Sequence, residues 1–145
     1  MANESKSATG RVGAVLLIRK NGSLLMQLRD NKEDLRHSGK WVPPGGHAEQ
    51  SEDMITCARR EFLEETSYDC VDLKFITEFE DRVEGWPSYE LTLFWDYYDE
   101  TQEIRCLEGQ DVKFIRREEA NLYDIPKYLL NLWDITLKIA NIKKE

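Results

Sequence analysis

Apolar and polar positions fall into short blocks along this chain, and their spacing predicts the elements. Val12-Gly-Ala-Val-Leu-Leu-Ile18 is a continuous apolar run, as expected of a buried strand. Asn21-Gly22 is a strong turn signal, and Leu24 to Arg29 reads as the returning hairpin strand. Residues 30–40 are polar and charged and read as a loop, and Trp41-Val42-Pro43-Pro44-Gly45-Gly46 as one short extended piece. Ser51 stands in front of a helix predicted to run to about Thr66, with Glu52 and Asp53 in its first turn. Val71 to Glu80, Tyr89 to Tyr98 and Val112 to Ile115 read as strands. Pro126 opens a last helix with an apolar stripe of Leu129, Trp133, Thr136, Leu137 and Ala140. Hairpins and helices mixed in one chain predict an α+β fold, a mixed sheet covered by helices. No repeat or linker divides the sequence, so residues 1–10 read as a flexible N-terminal tail and 11–145 as a single domain.

Composition narrows the function classes. With 145 residues, 41% hydrophobic and 33% charged, the chain is neither low-complexity nor disordered. Its net charge of −8 argues against a basic face for duplex nucleic acid, so any phosphate must be handled locally. Three cysteines, Cys57, Cys70 and Cys106, form neither a disulfide framework nor a zinc pattern. The longest apolar run is too short to cross a bilayer, and the first ten residues hold no hydrophobic stretch. A cytoplasmic protein with no membrane partner is the expectation.

The helix over residues 52–66 is wrong for a plain core helix. Wound at ~100° per residue from Met54, Ala58 falls at ~40° and Cys57 at ~−60°. The same stripe then continues with Glu61 at ~−20°, Glu65 at ~20° and Glu64 at ~−80°. Like charges at these spacings repel, and partial burial makes them costlier still without a counter-charge. A solvated acidic face is the plain alternative. Upstream, however, Gly45-Gly46 offers backbone oxygen on a tight turn. Carboxylates with carbonyl oxygen are the hard donor set of Mg²⁺ or Mn²⁺.

Gly46, five residues, Glu52, seven residues, then Arg60-Glu61-Phe62-Leu63-Glu64-Glu65-Thr66-Ser67-Tyr68 resembles the Nudix box. Six specified positions match at the family's spacings, and Ser67 stands where the box has its last glycine. Leu107-Glu108-Gly109-Gln110 resembles a Glu-Gly-Gln segment of MutT-like members. The resemblance implies the Nudix fold, an α/β/α sandwich with a central mixed β-sheet. It also implies a divalent-metal-dependent pyrophosphohydrolase that cleaves a nucleoside diphosphate linked to another group. By this carry-over Glu61, Glu64, Glu65, Glu108 and the Gly45 carbonyl hold Mg²⁺ or Mn²⁺. Glu61 is the expected general base, with Glu108 its rival, and Arg60 anchors carboxylates including Glu52.

Arg29, Gly46 and Trp41 are candidates for substrate binding, with Trp86 and Tyr89 lining a nucleoside pocket. A buried wedge is the plain alternative for Trp41. His37 and His47 are isolated and are assigned no metal. The Glu-Gly-Gln segment favours nucleoside triphosphates, cleaved to monophosphate and pyrophosphate. Ile125-Pro126-Lys127-Tyr128-Leu129 resembles the segment that carries an asparagine in members acting on oxidised guanine. Leu129 stands in that asparagine's place, so the resemblance does not extend to that substrate. A monomer or homodimer is expected. The competing reading is a catalytically silent nucleotide-sensing or interaction module; such versions lose box carboxylates, and this chain keeps them.

Overall fold

The apolar run near the N-terminus becomes the central strand of the sheet. Residues 10–33 and 35–142 are described by a computed structural model; the expected tail lies, up to residue 9, outside them. The strands are β1 (Arg11–Ile18), β2 (Leu24–Leu28), β3 (Trp41–Val42), β4 (Gly45–His47), β5 (Lys74–Asp81), β6 (Tyr89–Tyr97) and β7 (Asp111–Ile115). Helix α1 (Met54–Thr66) follows β4, and α2 (Lys127–Ile139) closes the order. Strand β1 pairs parallel with β6 along its whole length, from Arg11↔Glu90 to Ile18↔Tyr97. Its other edge is shared: β4 takes Val12 to Ala14 and β2 takes only Ile18, opposite Leu24. The hairpin predicted at Asn21-Gly22 is therefore paired only beside its turn. Beyond it β2 pairs antiparallel with β7 and β3, while β5 pairs antiparallel with β6.

Both faces of this mixed sheet are covered, which is why β1 reads as an unbroken apolar run. Val15, Leu17 and Leu25 pack with Ala58 and Phe62 of α1. Leu16, Ile18, Leu24 and Met26 pack with Leu129, Trp133 and Leu137 of α2. Each fully buried valine, leucine, isoleucine, methionine or phenylalanine among these contributes about 1.5–3 kcal/mol. The indole Nε1–H of Trp133 donates to the Gly22 carbonyl at 3.0 Å, so its polar atom is satisfied in the core. Every residue of the expected α2 stripe is buried.

Several boundaries differ from the sequence reading. Trp41 to Gly46 is not one extended piece: β3 lies beside β2 and β4 beside β1, with Pro43-Pro44 carrying the chain across. Proline has no N–H to donate, so a ladder breaks there. Helix α1 begins at Met54, with Asp53 rather than Ser51 before it as cap. The Asp53 side chain accepts from the Thr56 amide at 2.9 Å, leaving Glu52 outside the helix. Strand β5 begins at Lys74 instead of Val71, and an unforeseen 3-10 turn covers Arg117–Leu122. Ser67 ends α1 in the left-handed conformation, φ 67° and ψ 9°, with its N–H donating to Leu63. Among the described residues no helix is long and apolar enough to cross a membrane.

Candidate active site

Strand β4 passes so close to α1 that a β-carbon on Gly46 would lie 2.2 Å from Glu61 Oε1. A side chain at position 46 would therefore displace the Glu61 carboxylate. On the flank of the acidic stripe, Arg60 gathers the carboxylates. Its Nε and Nη2 donate to Glu52 at 2.8 and 2.9 Å, and its Nη1 to Glu61 at 2.9 Å and Glu64 at 3.2 Å. Nη2 also reaches the His47 carbonyl at 3.1 Å, tying helix to strand. A planar guanidinium has enough fixed donors to serve all four partners. The Arg60 hydrogen bond holds the Glu52 carboxyl below its ordinary range. At Glu61 burial pushes the carboxyl up, and Arg60 only partly opposes it.

Glu65, one turn further along α1, is 4% exposed. Its Oε1 accepts from the Gly45 amide at 3.2 Å and from Gln27 Nε2 at 3.1 Å. Gln27 also donates to the Glu108 carbonyl at 3.2 Å. The loop bearing Glu108 docks on the end of α1, whose last carbonyls need donors from outside the helix. Leu107 N–H reaches Glu65 O at 2.9 Å, and Arg105 N–H reaches Thr66 O at 2.8 Å. Burial, then the nearby charges of Glu108 and Glu61, push the Glu65 carboxyl well above the usual carboxylate range. The two donors on Glu65 lower it only in part.

These acids line a cleft of about 260 Å³ that runs past Gly45, Gly46 and Arg29. The rest of its lining includes residues that patterning did not single out together. Arg36 is 2% exposed, with its guanidinium 4.6 Å from the Tyr89 ring centroid. It donates to the carbonyls of Pro87 and Asp81 and pairs with the Asp81 carboxylate at 3.5 Å. His37 Nε2 lies 3.2 Å from Asp81 Oδ2. Burial raises the Asp81 carboxyl, but His37 and Arg36 outweigh it and hold it below the usual range. Burial, then the charges of Arg29 and Arg36, push His47 below the ordinary imidazole range, and its ring lies edge-on to Tyr89 at 4.8 Å. Tyr128, from α2, completes this wall.

A family model described as NUDIX domain matches residues 8–133. This chain belongs to the Nudix family. The fold is shared with solved structures at low identity. A MutT protein from Methanosarcina mazei Go1 is 18% identical with a TM-score of 0.74, covering 91% of this chain and 94% of that one. An Ap4A hydrolase from C. elegans is 19% identical, TM-score 0.67, covering 91% and 100%. The NUDIX domain of Shewanella oneidensis NrtR, complexed with ADP ribose, is 14% identical, TM-score 0.73, covering 94% of each chain. As a Nudix hydrolase the chain acts on phosphoanhydride bonds.

Within this Nudix hydrolase the residues singled out from sequence divide by place. Glu61, Glu65, Glu108, Gly45, Gly46, Arg29 and Tyr89 line the cleft. Glu64 does not line it: on the outer side of α1, its side chain is 57% exposed and held by Arg60. Trp41 does not line the cleft but lies in the core, the plain alternative for it, where its ring meets Tyr123 edge-on at 5.6 Å. Trp86 lines a separate groove beside the polar loop. Arg36, His37, His47, Asp81 and Tyr128 were missed as a group. Their one signal in the sequence was residue type, since none shares a local spacing.

As the side chains stand, no three His, Cys, Asp or Glu among the described residues are grouped to hold a metal. The donor chemistry nevertheless fits a divalent cation. Glu61 and Glu65 are hard oxygen donors whose ionised forms are disfavoured by burial, and Glu108 and Glu61 each push Glu65 further. Arg60 contacts Glu61 but not Glu65, so the innermost carboxylate has no protein cation among its hydrogen-bond partners. A small divalent ion is the counter-charge such a set calls for.

Proposed function

We propose that this Nudix hydrolase is a divalent-metal-dependent pyrophosphohydrolase that cleaves nucleoside triphosphates to monophosphate and pyrophosphate. The observation that carries the reading is the make-up of the cleft, which joins the buried Glu65 and half-buried Glu61 carboxylates to Arg29 and to the tyrosines Tyr89 and Tyr128 in one lining. Glu61, Glu65, Glu108 and the Gly45 carbonyl are the ligands assigned to Mg²⁺ or Mn²⁺ from the cleft lining, and Glu64, outside it and held by Arg60, would join them by turning its side chain from Arg60. Bound there, the cation would neutralise phosphate charge and promote ionisation of the attacking water.

The protein's own groups then have distinct tasks. Glu61 takes the proton from the attacking water, its carboxylate lying in the cleft lining beside Gly46. Arg60 holds the other oxygen of Glu61 and fixes its orientation. Arg29 and the Gly46 backbone face the phosphates, and the glycine lets them approach closely. The nucleoside lies toward Tyr89 and Tyr128, where the ionised Asp81 accepts from N–H groups and would repel a further phosphate.

The test is a screen for phosphate and pyrophosphate release over NTPs, dNTPs, ADP-ribose, NADH, dinucleoside polyphosphates and nucleotide sugars, with Mg²⁺ or Mn²⁺. Pyrophosphate release from a triphosphate, abolished by excess EDTA, is expected. Full turnover in excess EDTA overturns the metal dependence, and exclusive action on another class overturns the substrate. Specific nucleotide binding with no turnover of any compound would instead favour the silent sensing module.

A further inference from the structure

Strand β2 carries one residue that is out of character with its surroundings. Leu24, Leu25, Met26 and Gln27 are all buried, and Gln27 is 5% exposed. Residues alternate across a strand, so Gln27 shares with Leu25 the face that packs against α1. A buried amide is costly unless it is hydrogen-bonded, and an apolar side chain would ordinarily take this place. Gln27 Nε2 instead bonds two groups from distant parts of the chain, Glu65 Oε1 at 3.1 Å and the Glu108 carbonyl at 3.2 Å. The loop is shaped to reach it. Gly109 has φ +82°, and a β-carbon there would lie 2.6 Å from Leu28 O and 3.2 Å from Gln27 Cγ.

We infer that Gln27 is a positioning residue: its amide fixes Glu65 and tethers the Glu108 loop, so that both carboxylates face one divalent cation. The inference rests on the metal-dependent reading of this cleft. The chemistry explains why the donor is neutral. A lysine or arginine at this place would also satisfy Glu65, but as a resident counter-charge it would compete with the metal. An amide donates without neutralising, and leaves the charge of Glu65 available. Groups that hydrogen-bond ligating carboxylates tune metal affinity by about 10–100-fold in other sites.

The experiment measures Mn²⁺ affinity directly, by electron paramagnetic resonance of the free ion, on the full chain without substrate. Gln27→Leu should weaken Mn²⁺ binding at least about tenfold. In steady-state assays it should lower kcat at limiting Mn²⁺ with little change in nucleotide KM, and excess Mn²⁺ should restore turnover. A packing defect would not be rescued by metal. Gln27→Lys, which keeps donors but adds charge, should weaken Mn²⁺ binding as strongly; it carries the test if the leucine variant does not fold. Parent-like Mn²⁺ affinity in a folded Gln27 variant, while Glu65→Gln loses it, would overturn this inference alone. No Mn²⁺ binding by the parent would overturn the metal-dependent reading and this inference with it.

Discussion

Arg60 and Glu65 show how much one residue's surroundings decide. Consecutive carboxylates on α1 meet different fates, Glu64 exposed beside Arg60 and Glu65 buried beside two neutral donors. Glu65→Gln removes a charged oxygen from the innermost position, and kcat should fall by about 10²-fold or more with the fold retained. Near-normal turnover, measured by pyrophosphate release, would show that Glu65 is not a ligand. Beside Arg36 and His37 in the cleft lining stands Asp81, whose folded carboxyl lies below its ordinary 3.8. A depressed carboxyl contributes stability that is fully present above the unfolded value and lost as pH falls through the folded one. The stability gap between parent and Asp81→Asn should therefore narrow below about pH 4. Urea midpoints followed downward from neutral pH measure it, and a gap independent of pH would refute the assignment.

At the scale of elements, the end of α1 has the clearest departure from an ideal sequence. Ser67 adopts φ 67° where the Nudix box has glycine. The left-handed conformation costs a non-glycine residue roughly 1 kcal/mol or more. Ser67→Gly should raise stability by about 0.5–1 kcal/mol, part of the gain being offset by the greater freedom of glycine in the unfolded chain. Activity should be unchanged, since the Glu65 and Thr66 carbonyls that receive the Glu108 loop keep their partners. Chemical denaturation reads the result: a lowered midpoint at unchanged m-value would contradict it.

For the whole molecule the charge balance matters most. A chain of net charge −8 that sets the half-buried Glu61 beside the buried Glu65 should gain stability from a cation that binds only the folded form. At about 100 times its Kd such a ligand adds about 2.7 kcal/mol. Mn²⁺ or Mg²⁺ should accordingly raise Tm in thermal unfolding, and Glu65→Gln should lose most of that rise. An unchanged Tm across a metal titration of the parent would count against a cation in the cleft.

The acidic stripe, its glycine and the α2 stripe were legible in the sequence because their spacing is local. A helix at 3.6 residues per turn puts Glu61 and Glu65 on one side whatever surrounds it. The buried run of β1 was legible for a similar reason, since a strand covered on both faces needs apolar residues throughout. Tertiary structure alone decided which part of each pattern meets what. Pairing of β4 with β1 brought Gly46 against Glu61, and Pro43-Pro44 sent Trp41 to the core instead of the cleft. Gln27 meets Glu65 across 38 positions of sequence, and His37 meets Asp81 across 44. Those contacts follow from strand pairings between distant segments, which no window of residue spacing contains.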